Sequence, residues 1–229
     1  YASHDSSFED DNERLIYDPL VINNDGSCIK ADQSFELAGP RSLIYFDPER
    51  TRSAIVTCGG LCPGINAVIR SIVMTSYYRY GSRSILGIRY GYSGLDPKKG
   101  YEPIALDPDM VEDIHLEGGT ILGSSRGGTE DMDALVDTLS RLGIQILYTI
   151  GGDGTLRGAH RIAEIARSRG MELAVVGVPK TIDNDISYVQ RTFGFETAFS
   201  VAVDSIYTAH VESKGAPNGI GLVKLMGEV

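Results

Sequence analysis

The chain has 229 residues, 31 acidic against 21 Lys plus Arg, for a formal net charge of −10. That balance argues against a surface built to neutralise nucleic-acid phosphates, which needs a basic face. With 42% apolar and 23% charged residues the composition is that of a globular chain able to bury a core without disulfides or structural metals. No apolar run approaches the roughly 20 residues of a membrane span, and no charged-then-apolar leader opens the sequence, so neither membrane insertion nor secretion is expected. Cys28, Cys58 and Cys62 are few and odd in number, and no His or further Cys follows Cys58 and Cys62 at zinc-ligand spacing. They read as buried or loop thiols in a reducing compartment, with a cytoplasmic location expected.

Residues 1–37 are expected to form an acidic, partly disordered arm, because the Ser-rich, acidic opening lacks apolar periodicity. The segment 38–48 has one apolar burst between prolines and is expected to lie as an edge segment against the main domain, which is taken as 38–229. Ala54 to Thr57 then reads as a short strand stopped by Gly59 and Gly60. Pro63 opens a helical pattern with Ile65, Val68, Ile69 and Ile72 on one face. Ser84 to Ile88 is a second strand, followed by turn signals at Gly91, Gly94 and Pro97. Helical spacing over Ala134 to Leu142 leads into Ile144 to Ile150, apolar enough to be buried on both faces. A helix to about Arg169 follows, then a buried strand from Leu173 to Val178. A helix from about Gly194 to Ser213 and a last strand, Ile220 to Leu225, complete the pattern. Alternating strands and helices predict an α/β, Rossmann-like three-layer domain with a mainly parallel sheet, its ligands at the carboxyl ends of the strands.

Three of these strands end in loops rich in polar and small residues. Thr57-Cys58-Gly59-Gly60-Leu61-Cys62-Pro63-Gly64 allows backbone amides to approach a phosphate at a helix amino end, or is a plain strand-to-helix turn. Gly151-Gly152-Asp153-Gly154-Thr155 places an uncrowded carboxylate where Mg²⁺ or a metal-bound water is met; Thr155 either bonds a phosphate oxygen or caps the helix. Lys180-Thr181-Ile182-Asp183-Asn184-Asp185 sets two carboxylates beside a cation and a hydroxyl. Phosphoryl transfer needs such a set, whereas the bland reading is an Asx-turn with solvated acids. Arg126, in the loop Leu122-Gly123-Ser124-Ser125-Arg126-Gly127-Gly128, offers bidentate bonds to phosphate or is an ordinary surface arginine. The three strand-end loops are expected to converge on one edge of the sheet.

At these residues the sequence resembles the phosphofructokinase family, with the motifs GGLCPGIN, GYSGL, LGSSRGG, GGDGT, PKTIDND, RTFGFETA and VKLMG in family order over about 38–227. The stretch from Ala38 is similar to the plant and trypanosome type, and the match implies the nucleotide-binding part of an ATP-dependent 6-phosphofructokinase. The resemblance implies phosphoryl transfer from Mg-ATP to the 1-hydroxyl of fructose 6-phosphate, an allosteric glycolytic step. Gly59, Gly60, Tyr92, Arg126, Gly152, Asp153, Gly154 and Thr155 are then implied to meet the nucleotide, and Asp153 to organise Mg²⁺. Asp183 is implied as the general base, with Lys180, Thr181, Asp185, Met226 and Gly227 beside the sugar phosphate. Gly154 together with Lys180 is the mixed pattern of the ATP-using plant and trypanosome enzymes; a side chain at 154 would intrude where the nucleoside must sit.

The sequence departs from the family at Glu228, where an active-site arginine is usual, and at Gly219, where bacterial members carry arginine. A phosphate that Arg attracts is repelled by Glu. The resemblance also implies a second, substrate-binding domain that this sequence lacks, so a chain truncated at its C-terminal end is expected to expose apolar surface. It would then self-associate as a dimer or tetramer, or pair with a full-length chain. Two other readings stay open: a non-catalytic truncated subunit that binds nucleotide, and a pyrophosphate-dependent phosphofructokinase or another kinase with the GGDGT turn.

Overall fold

Residues 8–16, 34–127 and 131–225 are described in the computed structural model of the chain. The chain divides into two units, Tyr1–Asp47 and Pro48–Val229. In the first, β1 (Arg14–Ile16) pairs antiparallel with β2 (Ser34–Glu36), and Arg41 Nε lies 2.8 Å from an Asp11 carboxylate oxygen. Of the acidic opening, residues 1–7 lie outside the described residues, as does Cys28. The segment 38–48 adds no strand to a sheet, and Leu43 and Tyr45 stand exposed. Pro40 and Pro48 bracket it and supply no amide hydrogen for a ladder.

The second unit is built on β3 (Arg52–Thr57), β4 (Ser84–Ile88), β5 (Ile104–Leu106), β6 (Ile146–Gly151) and β7 (Ala174–Pro179). Their order is β5-β4-β3-β6-β7; β5 runs antiparallel to β4 and every other pairing is parallel. The helices are α1 (Ile65–Met74), α2 (Pro108–Val111), α3 (Met132–Arg141), α4 (Asp153–Ser168) and α5 (Phe195–Ser213). Successive β3 residues point to opposite faces, which is why the strand is apolar throughout. Ile55 packs with Ile65, Ile69 and Val73 of α1, while Ala54 and Val56 share a core with Leu135 and Leu139 of α3 and Ile162 of α4. This is the expected three-layer α/β domain. The connection from β3 runs over one face to β4 and that from β6 over the other to β7. A crevice therefore opens at the carboxyl ends of β3 and β6, where the two connections part.

Four expectations change. Helix α1 starts at Ile65, because Pro63 and Gly64 belong to the preceding turn. Strand β5 has no counterpart in the sequence reading; three residues are too few to show alternation. Strand β7 was expected to be buried but is an edge, with Val176 42% exposed and Gly177 exposed beside it, since among the described residues β6 is its one partner strand. Residues Ile220 to Leu225 form no strand, and Ile220 and Leu222 are each 91% exposed. An apolar alternation becomes a strand only where a neighbour takes its amides, and this segment joins no ladder.

Candidate active site

The crevice is a cleft of about 470 Å³. Its first wall is the loop after β3. Gly59 sits at φ +85°, a left-handed backbone that strains any side chain. Both of its backbone groups are held by the neighbouring loop: its N–H donates to the Ser125 carbonyl at 3.0 Å, and its carbonyl accepts from the Ser124 hydroxyl at 2.6 Å. The same loop is fixed below by Thr57, whose hydroxyl donates to the Gly123 carbonyl at 2.7 Å, and by Ser125, which donates to the Tyr90 carbonyl at 2.7 Å. Arg126 is thereby carried to the cleft. A β-carbon on Gly60 would lie 3.4 Å from Arg126 Nη2, and one on Gly59 would lie 3.7 Å from Lys180 Nζ. Two cations flank the glycine pair.

The loop after β6 forms the opposite wall. Gly152 is the N-cap of α4 and Asp153 its first residue, with the carboxylate exposed at the positive end of the helix. A β-carbon on Gly154 would meet no atom within 4 Å, so position 154 faces open cleft. Thr155 does not cap the helix. It is buried inside the first turn, its side chain against the Gly151 α-carbon, and its carbonyl accepts from the Tyr92 hydroxyl at 2.8 Å. Tyr92 lines the cleft but is 5% exposed, and burial pushes its phenol well above the usual range. Beneath it, burial pushes the Cys58 thiol up to about 11, against the opposing influence of hydrogen bonds with Tyr92 and Thr155 and the charge of Lys180.

Lys180 joins the two walls. Its N–H donates to the Gly151 carbonyl at 2.9 Å and its side chain is buried, which lowers its pKa; the nearby Arg126 charge acts in the same direction and the two thiols oppose it. Thr181, Asp183 and Asp185 follow on the same loop but lie outside the cleft lining. The Thr181 hydroxyl donates to Asp185 at 2.5 Å and accepts from the Asp183 N–H at 3.1 Å. Asn184, at φ +55°, accepts from the Thr192 N–H at 2.8 Å. This loop is tied back to the glycine wall by Cys62, whose thiol lies 3.2 Å from the Phe193 carbonyl and 3.7 Å from that of Thr181. Only glycine fits at 194, since a β-carbon there would come within 2.2 Å of the Pro63 carbonyl oxygen.

Gly59, Gly60, Tyr92, Arg126, Gly152, Asp153, Gly154, Thr155 and Lys180 therefore converge on one cleft. Met226 and Gly227 lie outside the described residues, as does Glu228. The sequence reading named Arg126 but passed over Ser124, Ser125 and Thr57, which carry its loop; the paired hydroxyls beside the arginine were the available signal.

A family model described as phosphofructokinase matches residues 52–229. The chain belongs to the phosphofructokinase family. Among proteins of that family it is 50% identical to an ATP-dependent 6-phosphofructokinase of Borreliella burgdorferi, over 99% of this chain and 51% of that protein. It is 49% identical to one of Trypanosoma cruzi, over 96% and 46%, and 49% identical to ATP-dependent 6-phosphofructokinase 7 of Arabidopsis thaliana, over 93% and 42%. The chain spans about half the length of the curated relatives it matches. A phosphofructokinase structure from Saccharomyces cerevisiae aligns with TM-score 0.62 at 27% identity, over 72% of this chain and 25% of that one. A pyrophosphate-dependent phosphofructokinase from Marinobacter aquaeolei aligns at 0.63 and 21% identity, over 72% and 42%, a likeness of fold.

Proposed function

We propose that this chain is the nucleotide-binding part of an ATP-dependent 6-phosphofructokinase, which moves the γ-phosphoryl group of Mg-ATP to the 1-hydroxyl of fructose 6-phosphate. The observation that carries the reading is the pairing of two cations, Lys180 and Arg126, with the Gly59–Gly60 backbone in one cleft whose far wall is Asp153 at a helix amino end. Such a set receives an anion from one side and a cation from the other. The names of the relatives, and the open space at Gly154, favour ATP as donor over pyrophosphate.

The residues present fit Mg²⁺. The Asp153 carboxylate has no hydrogen-bond or ion-pair partner among the described residues, and no group of three or more metal-ligating side chains occurs among them. Mg²⁺ is commonly held by one or two carboxylates together with nucleotide phosphates and waters, and when bound it offsets the charge of the phosphates. In the proposed reaction Gly59, Gly60 and Arg126 hold the nucleotide phosphates and Lys180 offsets charge on the transferred group. Asp183 accepts the proton of the sugar hydroxyl, while Thr181 and Asp185 fix the turn that presents it. Met226 and Gly227 are proposed at the sugar phosphate, the domain is proposed to begin near Ala38, and a homo-oligomer in the cytoplasm is the proposed working form.

The test is a coupled assay with Mg-ATP and fructose 6-phosphate beside calorimetric titration with Mg-ATP. Turnover and binding together support the proposal. Binding without turnover marks a nucleotide half that does not act alone, and absence of both overturns the reading.

A further inference from the structure

The glycine loop presents its amides in only one of two orientations, and a side chain outside the loop selects it. The Gly59–Gly60 peptide can turn about the flexible torsions of its glycines with little steric penalty, so the loop sequence does not by itself fix which way the amide faces. Two contacts from the arginine loop do. The Ser125 carbonyl takes the Gly59 N–H at 3.0 Å, and the Ser124 hydroxyl, half-buried, donates to the Gly59 carbonyl at 2.6 Å. In a trans peptide the N–H of the next residue is antiparallel to that carbonyl. The Gly60 N–H therefore points away from Ser124, and it has no hydrogen-bond partner among the described residues. Gly59 and Gly60 line the cleft, with Lys180 Nζ and Arg126 Nη2 close to where their β-carbons would stand.

We infer that Ser124 is a positioning residue for nucleotide binding: by holding the Gly59 carbonyl it keeps the Gly60 N–H available to an anionic oxygen between Lys180 and Arg126. The inference rests on the nucleotide reading above. Without the hydroxyl the Gly59 carbonyl is free to rotate toward the cleft, where it would face the phosphate as a partial negative charge instead of a donor. Because Ser124 is two residues from Arg126, the same contact also fixes the root of the arginine's loop. One hydroxyl thus aligns a backbone donor and a side-chain donor on the same anion.

The experiment compares wild type with Ser124→Ala, Ser124→Thr and Ser124→Cys in the full chain. It measures Mg-ADP affinity by calorimetry, thermal midpoint and, where turnover is present, KM for each substrate. Loss of one such hydrogen bond predicts Mg-ADP binding weakened about 3- to 10-fold in Ser124→Ala. The expected result includes a KM for Mg-ATP rising more than kcat falls, an unmoved KM for fructose 6-phosphate, and recovery to within about twofold in Ser124→Thr, which keeps the donor. Ser124→Cys, a weaker donor of similar size, is expected between Ala and wild type, and it decides the matter if Ser124→Ala does not fold. Unchanged Mg-ADP affinity in Ser124→Ala, or in Ser124→Cys where the Ala variant does not fold, or equal loss in Thr and Ala, overturns the inference while leaving nucleotide binding intact. Wild-type chain that binds no Mg-ADP overturns the nucleotide reading and this inference with it.

Discussion

The centre of the sheet and the chain beyond its β7 edge differ in how much of their apolar surface the fold covers. Around β3 and β6 every layer is closed: Ile55, Leu147, Ile150 and Ile162 are fully buried, and each loop leaving those strands is tied to another by hydrogen bonds from Thr57, Ser124, Ser125 or Lys180. Beyond β7 the surface is open. Helix α5 carries Phe195, Phe199, Val201, Val203, Ile206, Tyr207 and Val211, yet Ala202 is its one buried residue, and Phe199, Ile206 and Tyr207 all stand exposed. The cleft opens at this closed centre. Positioning groups to a fraction of an ångström requires walls that cannot move, whereas an association surface only has to be apolar and accessible.

The largest expected effect tests what the closed centre is for. On the proposed function, Asp183→Asn should lower kcat by about 10²- to 10⁴-fold and leave Mg-ADP affinity within about twofold, since Asp183 lies outside the cleft lining. Equal losses of binding and turnover would place Asp183 in the nucleotide site instead. The contrast between the closed centre and the open surface is read directly by stability. Ile69→Ala should cost about 2–5 kcal/mol in denaturant unfolding, because α1 is sealed against the sheet. Ile206→Ala on α5 should cost less than about 0.5 kcal/mol in the isolated chain, and a larger loss there would show that α5 is covered in solution.

Gly154→Asp should bind Mg-ADP at least about 10-fold more weakly with an unchanged thermal midpoint, because the new carboxylate enters open cleft and repels phosphate. Undiminished binding would show that the nucleotide does not pass position 154. The buried Cys58 supplies a pH signature of the same wall. Its folded value of about 11 lies above the ordinary 9.0, so its contribution is fully present below 9.0 and is lost as pH rises from there through about 11. Wild type should lose on the order of 2 kcal/mol more than Cys58→Ala across that window, as read by unfolding at stepped pH. Smallest in stability is Ile206→Glu, which should leave the thermal midpoint in place and reduce self-association in light scattering; unchanged association would move the sticky surface elsewhere.

Most strands and helices were legible because burial on two faces, or on one stripe, writes a period into the sequence. Ala54 to Val56, Ile146 to Ile150 and the helical face with Ile65 and Ile69 are examples, although Val73, and not the predicted Val68 and Ile72, completes the buried stripe of α1. The reading failed where a period exists without a partner. Residues Ile220 to Leu225 alternate like a strand but join no ladder, and Val176 sits in an apolar run on an uncovered edge. In the site, the residue types suited to phosphate and Mg²⁺ were visible as motifs, and nine of the named positions meet in one cleft.

The amino-acid sequence by itself determined the α/β class, the glycine loops at strand ends and which charged residues, Arg126, Asp153, Lys180 and Asp183, stand in or beside them, because local pattern and residue type suffice for those. Only the tertiary structure decided that Thr155 packs on Gly151 and does not cap α4. It also decided that Ser124 grips Gly59 across 65 residues of chain, and that Cys62 ties the glycine turn to the aspartate loop. The last two contacts join segments distant in sequence. Their geometry follows from the order of the strands, which no local period encodes.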